Sequence, residues 1–326
     1  MRATLPWLSL LLTACAAETP ADDMPADTSE PIVEPLPEMP DDLTRWLTGS
    51  DEDAPASHQG PGLILMGGGL EPDEAFTWWT PRIAGGDVVV VRASGSDGYN
   101  DYLYSDIGGV DSVETLLINT AALANDPWVA WRVAQAEGVF IAGGDQWDYL
   151  SLWSGSTLQE ALQEVYARGA VLGGTSAGLA VLGDWAFSAE NGTVYSDEAL
   201  EDPFNTYMTF STTFLELPML EHTITDSHLT DRDRLGRLIA FVARMQRDGV
   251  PSPRGLGIDE TTALILTPEG EQVVGEGAVF EVAPTTAPER CEAGAPLEWA
   301  DVPVMRKTAS GETAFTVSAA AGVLEQ

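Results

Sequence analysis

The sequence predicts an α/β domain built on a mostly parallel, doubly wound sheet. Nearly continuous apolar runs, such as residues 62–66 and 87–92, are typical of strands buried on both faces of a parallel sheet. Segments with helical periodicity alternate with these runs, and this alternation is typical of doubly wound domains. Several runs also end in glycine pairs, as at Gly143 and Gly144, where a strand would pass into a loop.

The pattern predicts the following elements in chain order. Strands are predicted at residues 62–66, 87–92, 112–118, 139–142, 170–172, 223–225, 257–258 and 263–266. Helices are predicted between them at residues 74–83, 120–136, 158–167, 179–185 and 232–247. Residues 62–284 would form the main domain. Residues 285–326 are rich in Pro, Thr and Ala and contain a strand-like run at 314–317, which predicts a small C-terminal β appendage.

The first residues are typical of a targeting signal. Arg2 precedes an apolar run that is too short to span a bilayer but suits the core of a signal peptide. Residues 12–15 (LTAC) resemble a bacterial lipobox, so we expect residues 1–14 to be removed and Cys15 to be lipidated. Ala16 favours the outer membrane, and the protein would be extracytoplasmic. The alternative is an ordinary secretory signal, in which Cys15 is incidental.

The composition of residues 15–61 predicts an acidic tether. Prolines and carboxylates are dense there, and Arg45 is its only basic residue, so the segment repels itself and cannot form a core. A short amphipathic piece around residues 43–47 is expected to dock on the domain.

Charge and cysteine content exclude several functions. The chain has 15 Lys and Arg against 51 Asp and Glu, a net charge of −36. This argues against a nucleic-acid partner and against docking on anionic lipid through charge alone. Two cysteines cannot form a disulfide framework or a Cys-rich zinc site. Because the chain also has only three histidines, ligands for a metal are few, and we expect neither a metal nor a cofactor.

One motif is typical of a nucleophilic serine. Gly174, Ser176 and Gly178 form G-x-S-x-G between a short strand and a helical segment. The glycines permit a sharp turn that exposes the Ser176 hydroxyl, and the amides that follow would stabilise a developing anion. The alternative is a glycine-rich turn in which Ser176 only caps the helix.

The three histidines limit the choice of a general base. His58 lies in the tether, whereas His222 and His228 flank the strand predicted at residues 223–225, roughly 20 Å apart. Active crevices of open α/β sheets lie beyond the carboxyl ends of the strands, so we predict that His228 is the base and His222 is structural. Other loops expected at this edge contain residues 67–69, 143–146, 226 and 259–260.

Four segments between residues 62 and 284 resemble the cyanophycinase branch of serine peptidases: IAGGDQ, GGTSAGLAVL, TDSHLTDRDRLGRL and GIDETTALIL. The resemblance implies the three-layer fold of class I glutamine amidotransferases, which aspartyl dipeptidase shares. It also implies Ser176 as nucleophile, His228 as base, and an oxyanion hole formed by the amides of Ala177 and of Gly68 or Gly69. The residues expected at the substrate are Gln146, Asp226, Arg232, Arg234, Arg237 and Glu260, with the three arginines either holding a substrate carboxylate or stabilising the active loop.

The second nitrogen of His228 needs a carboxylate partner. The resemblance favours Glu190, with Glu260 and Asp226 as alternatives. Two positions depart from the family pattern, because Ser227 stands where the family has Gln and Gly69 stands where it has an acidic residue. Cyanophycin, a poly-aspartate chain with arginines on its side-chain carboxyls, is therefore one of several candidate substrates.

The sequence predicts a secreted, lipid-anchored serine peptidase that cleaves cyanophycin or related β-aspartyl peptides through an acyl-enzyme on Ser176. Its partners would be a peptide or arginine-rich polymer substrate and, through Cys15, a membrane, but no nucleic acid. One alternative is an α/β-hydrolase esterase, although this needs a catalytic His nearer the C-terminus than His228, where the chain has none. The other is a non-catalytic surface lipoprotein with the same fold.

Overall fold

The parallel sheet is present in the structure, a computed structural model that describes residues 36–54, 59–212 and 214–325. In spatial order, its strands within those residues are β1 (Thr44–Gly49), β4 (Ser112–Leu117), β3 (Asp87–Arg92), β5 (Gly138–Ile141), β6 (Val171–Thr175), β2 (Gly62–Met66), β11 (Thr262–Thr267) and β12 (Gly270–Gly275). The strands from β4 to β2 run parallel. Antiparallel strands flank them on both sides.

A second sheet contains strands that the sequence analysis assigned to the first. Its order across the described residues is β16 (Val323–Glu325), β15 (Gly311–Ala320), β14 (Trp299–Thr308), β13 (Val279–Val282), β10 (Arg254–Ile258), β9 (Thr223–Ser227), β7 (Trp185–Phe187) and β8 (Phe210–Thr212). β9 pairs in parallel with β10 and β7. The strand-rich segment after residue 284 is present, and it extends this sheet because β14 pairs with β13.

The helices are α1 (Asp73–Trp79), α2 (Ala121–Ala124), α3 (Pro127–Gln135), α4 (Gln146–Trp153), α5 (Thr157–Ala167), α6 (Ala177–Ala180), α7 (Ser196–Glu201) and α8 (Leu235–Arg247). Short 3-10 turns cover Thr80–Arg82 and Pro218–Leu220, and a π-helix covers Tyr102–Ile107. The helix predicted at residues 120–136 is two helices. The second begins at Pro127 because the Asp126 carboxylate accepts the amide of Trp128 at 2.8 Å.

The prediction of a helix at residues 179–185 is wrong. The helix there, α6, starts two residues earlier and ends at Ala180, and Trp185 already belongs to β7. Gly183 explains the early end, because a Cβ at this position would lie 2.6 Å from the carbonyl oxygen of Trp185. The backbone turns tightly at Gly183 and continues into the second sheet.

Buried apolar side chains connect the two sheets. Alternate residues of β2 point to opposite faces: Leu63 and Leu65 pack on one side of the first sheet and Ile64 and Met66 on the other. Leu256 of β10 and Val279 of β13 belong to the same buried cluster as Leu63. The two sheets therefore share a core.

An ionic contact also links the sheets. Lys307 of β14, the only lysine of the chain, binds both Glu271 of β12 and Glu281 of β13. Burial opposes the charge of Lys307, but its hydrogen bonds to the two carboxylates outweigh burial and raise its pKa above 10.5. The ammonium group joins an edge strand of the first sheet to two strands of the second.

The end of the predicted tether belongs to the fold. β1 pairs antiparallel with β4 along its whole length, and Arg45 binds the fully buried Glu114, which also binds Arg132. Docking around residues 43–47 is thus observed, and it begins well before the predicted domain boundary at residue 62. The predicted signal peptide, Cys15 and His58 lie outside the described residues. Within those residues, no helix is both long enough and apolar enough to cross a membrane.

Strand ends from both sheets meet at one place. In the first sheet, Met66 ends β2 and its carbonyl oxygen accepts the amide of Ser176 at 3.1 Å. From the second sheet, His228 follows β9 and its amide donates to the carbonyl oxygen of Gly67 at 2.8 Å. The carboxyl ends of parallel strands in two sheets therefore position the predicted site.

Candidate active site

Ser176 lies in a sharp turn between β6 and α6. Its backbone has φ 52° and ψ −114°, a strained conformation of the kind that is concentrated at functional sites. A Cβ on Gly178 would lie 2.0 Å from the carbonyl oxygen of Ile141, so only glycine fits two residues after Ser176. The second glycine of the motif thus lets α6 pack directly against the end of β5.

His228 is hydrogen-bonded to Ser176. The Ser176 Oγ lies 2.8 Å from His228 Nε2, although the two residues are 52 positions apart. The His228 side chain is 7% exposed, and the residue also has a positive φ, 51°, where the chain leaves β9. A neutral imidazole that accepts at Nε2 can remove the hydroxyl proton of Ser176. His222 lies at the other end of β9, where its amide donates to Asp184.

Glu260, and not Glu190, binds the second nitrogen of His228. The His228 Nδ1 lies 2.5 Å from Glu260 Oε1, and the ionised carboxylate can only accept, so Nδ1 carries the proton. The sequence prediction of Glu190 as the triad carboxylate is contradicted by this contact. Glu190 is exposed in the turn after β7, where its amide donates to Ser188 Oγ at 3.3 Å.

The surroundings of His228 keep the imidazole neutral. Burial, which penalises the imidazolium, is the largest cause and lowers the pKa of His228 below 6.5. The hydrogen bond to Glu260 raises that pKa, whereas the positive charges of Arg232 and Arg234 lower it further. The net direction is downward, so His228 is a proton acceptor at neutral pH.

Three amides of the predicted oxyanion hole are free to donate. No hydrogen-bond acceptor contacts the amides of Gly68, Gly69 or Ala177 within the described ranges. Gly68 has φ +97°, and a Cβ there would lie 2.3 Å from His228 Cε1, so the loop after β2 passes directly over the imidazole. Ala177 directly follows Ser176 at the start of α6. The amides therefore flank the hydroxyl and imidazole from two elements.

Asp226 and Arg237 bind each other and not substrate. Arg237 Nε donates to Asp226 Oδ2 at 2.8 Å and Nη2 donates to Oδ1 at 2.6 Å. Both side chains are almost fully buried, which contradicts contact with substrate and leaves, for Arg237, the alternative of a role in stabilising the loops around the site. The same guanidinium donates to the carbonyl oxygen of Val194 and to Thr193 Oγ1, both at 3.2 Å. It thus joins β9, α8 and the loop before α7.

The other predicted substrate contacts differ in exposure. Arg234 Nη1 donates to the carbonyl oxygen of Ser227 at 2.9 Å, and burial lowers the pKa of Arg234 to about 10. Arg232 is exposed and its charge acts on His228. Gln146 is half-buried at the start of α4, where its side-chain Nε2 donates to the carbonyl oxygen of Phe187 at 3.2 Å. Arg232 and Gln146 remain predictions for substrate contact.

Asp259, predicted only as a loop residue, has a structural role beside the site. Its Oδ1 accepts the amide of Thr230 and its Oδ2 accepts the amide of Ala278, both at 3.0 Å. The carboxylate therefore fixes the chain after His228 to the strand end that precedes Glu260. The feature of the sequence that could have indicated this role is that Asp259, like Glu260, follows the end of a buried strand.

No metal-binding arrangement is found in the described part of the chain, where no three His, Cys, Asp or Glu side chains are grouped so as to hold an ion. The observed groups are those of a nucleophile, a base, a carboxylate and free amides. This set can transfer an acyl group to and from a hydroxyl.

Comparison with known proteins agrees with this chemistry. Residues 100–274 match the sequence profile of peptidase family S51. A cyanophycinase of Synechococcus elongatus is 32% identical over 235 residues, which cover 68% of this chain and 68% of the relative. The cyanophycinase of Thermosynechococcus vestitus gives the same values, and that of Trichormus variabilis is 31% identical over 179 residues, 54% of this chain and 55% of the relative.

A solved structure of a peptidase from an acI-B1 Actinobacterium shares the fold. It is 18% identical, has a TM-score of 0.53, and the match covers 80% of this chain and 99% of that chain. The mixed α/β architecture fits the class I glutamine amidotransferase-like fold expected from the sequence. This chain therefore belongs to peptidase family S51 and is a cyanophycinase-like, serine-type peptidase.

Proposed function

We propose that the protein is a secreted, lipid-anchored peptidase that hydrolyses cyanophycin or related β-aspartyl peptides, with Ser176, His228 and Glu260 as its catalytic triad. The observation that supports the triad most strongly is the chain of two hydrogen bonds from Ser176 Oγ through the His228 ring to Glu260. Each group has the partner that the next proton transfer requires.

Acylation begins when His228 Nε2 takes the proton of Ser176 and the Ser176 oxygen bonds to the substrate's carbonyl carbon. The imidazolium is stabilised by Glu260, and the oxyanion accepts hydrogen bonds from the amides of Ala177 and of Gly68 or Gly69. Collapse of this intermediate breaks the carbon–nitrogen bond, and His228 returns its proton to the leaving amine. The acyl group remains as an ester on Ser176.

Deacylation repeats the sequence with water. His228 removes a proton from the water while the water oxygen bonds to the ester carbonyl carbon, and the same amides stabilise the second oxyanion. The Ser176 oxygen leaves and takes back the proton from His228. One amide bond and one water become an acid and an amine.

The proposed substrate class rests on the cyanophycinase relatives and on charge. A net charge of −36 attracts an arginine-rich polymer, although screening limits this attraction to about 8–10 Å at physiological salt. The exposed Arg232 beside His228 is suited to a substrate carboxylate, which β-aspartyl peptides provide. Because Ser227 and Gly69 depart from the family pattern, short β-aspartyl peptides are included in the proposal.

The proposed location rests on the first fifteen residues, where an apolar run is followed by LTAC. Mass spectrometry of the mature protein from a bacterial host tests it. We expect a diacylglycerol-modified Cys15 at the N-terminus, and an unmodified start at another residue would contradict lipid anchoring.

The activity is tested on the purified protein with cyanophycin, β-aspartyl dipeptides and short-chain esters. Ser176→Ala should abolish hydrolysis and fluorophosphonate labelling, whereas Ser151→Ala, which changes an exposed serine of α4, should leave both unchanged. Turnover of esters alone would contradict the peptide substrates. Labelling at no serine, without turnover, would contradict catalysis itself.

A further inference from the structure

The loop after β2 is fixed on one side by backbone hydrogen bonds. The carbonyl oxygen of Gly67 accepts from the amide of His228 at 2.8 Å, and that of Gly68 accepts from the amide of Thr261 at 2.9 Å. These bonds hold the loop against the base and against the residue that follows Glu260. They involve carbonyl groups, so the amides of Gly68 and Gly69 are left for another acceptor.

A side chain fixes the loop on the other side. Glu71 lies two residues after Gly69, and its Oε1 accepts a hydrogen bond from the Tyr99 hydroxyl at 2.5 Å. The Tyr99 ring packs edge-on against Phe140 of β5, with 5.1 Å between ring centroids. The Glu71 carboxylate is thus bound by a tyrosine whose ring packs against the first sheet.

The Tyr99 hydroxyl is a permanent donor. Burial, and then the adjacent charge of Glu71, raise the pKa of Tyr99 far above 10. The hydroxyl therefore stays protonated over the whole range in which the peptidase would work. A charge-assisted bond between a phenol and a carboxylate is stronger than a neutral hydrogen bond.

A neighbouring tyrosine makes a similar bond at a different place. The Tyr102 hydroxyl donates to Asp73 Oδ1 at 2.6 Å, and Asp73 is the first residue of α1. This bond fixes the start of the helix and not the glycine loop. Glu71 follows Gly69 by two residues and Asp73 follows it by four, so Tyr102 provides a comparison in which the same kind of bond is made farther along the chain from the glycines.

We infer that Tyr99 is a positioning residue for the reaction: through Glu71, its hydroxyl orients the amides of Gly68 and Gly69 toward the oxyanion formed at Ser176. The inference rests on the proposed function, because it requires an oxyanion at that position. Oxyanion donors act chiefly in the transition state, so a displaced loop slows the chemical step more than it weakens substrate binding.

The test compares Tyr99→Phe with Tyr102→Phe, since each loses one hydroxyl bonded to a carboxylate. We expect Tyr99→Phe to lower kcat about tenfold or more at nearly constant KM and to slow fluorophosphonate labelling equally. Tyr102→Phe should keep kcat within about twofold. Tyr99→Phe should lose at least as much thermal stability as Tyr102→Phe, because the bond of Tyr99 is part-buried and that of Tyr102 is exposed, so the readout that separates the variants is kcat at temperatures where both are folded.

Glu71 provides a second measurement that leaves the buried ring unchanged. Glu71→Gln keeps an acceptor and should retain most of the rate that Glu71→Leu loses. Equal kcat in Tyr99→Phe and Tyr102→Phe, or a loss confined to KM, would overturn the inference. Ser176→Ala in the same assay separates the two hypotheses: surviving activity there overturns the proposed function, whereas a fully active Tyr99→Phe beside an inactive Ser176→Ala overturns only the role of Tyr99.

Discussion

At the residue scale, Glu260 and Glu190 are identical side chains in different surroundings. Glu260 accepts the Nδ1 proton of His228, whereas Glu190 is exposed in a turn. Glu260→Gln should lower kcat by about 10³–10⁴-fold, because the amide favours the wrong tautomer and stabilises the imidazolium less. Glu190→Gln is the matched control and should keep wild-type kcat. A larger loss in Glu190→Gln than in Glu260→Gln, measured by steady-state kinetics, would contradict this assignment.

The pH profile gives a second residue-scale prediction. A general base acts only when it is unprotonated, and burial lowers the pKa of His228 below 6.5. The acidic limb of kcat/KM should therefore have its midpoint below pH 6.5, with activity rising as pH rises through it. Arg232→Gln removes a charge that lowers this pKa, so its midpoint should move upward. A midpoint above 6.5 in the wild type, or a downward move in the variant, would contradict this account.

Some residues of the site could be identified from the sequence and others could not. Ser176 and His228 could be paired because the chain has one G-x-S-x-G motif and one histidine at a predicted carboxyl end of a strand. Glu260 could not be ranked above Glu190, because sequence spacing does not reveal which carboxylate faces the imidazole. The mutual pairing of Asp226 and Arg237 was missed for the same reason, since an Asp and an Arg eleven positions apart can equally face substrate.

At the element scale, Asp226 and Arg237 join β9 to α8 in a buried ion pair. Arg237→Met leaves the buried Asp226 carboxylate with only the weaker ion pair to Arg234, 3.8 Å away, and should lower the free energy of unfolding by about 3 kcal/mol, the lower end of the cost of breaking a buried pair. Arg247→Met changes an exposed arginine of the same helix and should change it by less than about 0.5 kcal/mol. Urea denaturation measures both variants. Equal stability of the two would show that the pair contributes little.

Strands were predictable where apolar runs are bounded by polar or glycine residues, and both β2 and β3 have the predicted bounds. Helices were less predictable where a cap interrupts a continuous pattern, as Asp126 and Pro127 do before α3. The division into two sheets could not be read from the sequence. β9 and β10 are separated by a helix and pair in parallel, as neighbouring strands of the first sheet do, and pairing partners are set by contacts far apart in the chain.

At the scale of the whole molecule, the net charge of −36 should make stability depend on salt. Self-repulsion of excess carboxylates destabilises the compact state, and salt screens it. Between about 0.01 M and 0.5 M NaCl, Tm should rise by at least about 2 °C in scanning calorimetry. The rise should be smaller at about pH 5, where some carboxylates are protonated. A Tm that falls or stays constant with salt would contradict the prediction.

The ammonium group between the two sheets has a practical consequence for anyone who handles the protein. Common dyes, biotin esters and bifunctional cross-linkers are usually coupled to lysine side chains, and the single lysine of this chain, Lys307, is buried between Glu271 and Glu281. Coupling there would neutralise the cation and leave two adjacent carboxylates unopposed. Labels and surface attachment are therefore better directed at an engineered cysteine on an exposed loop.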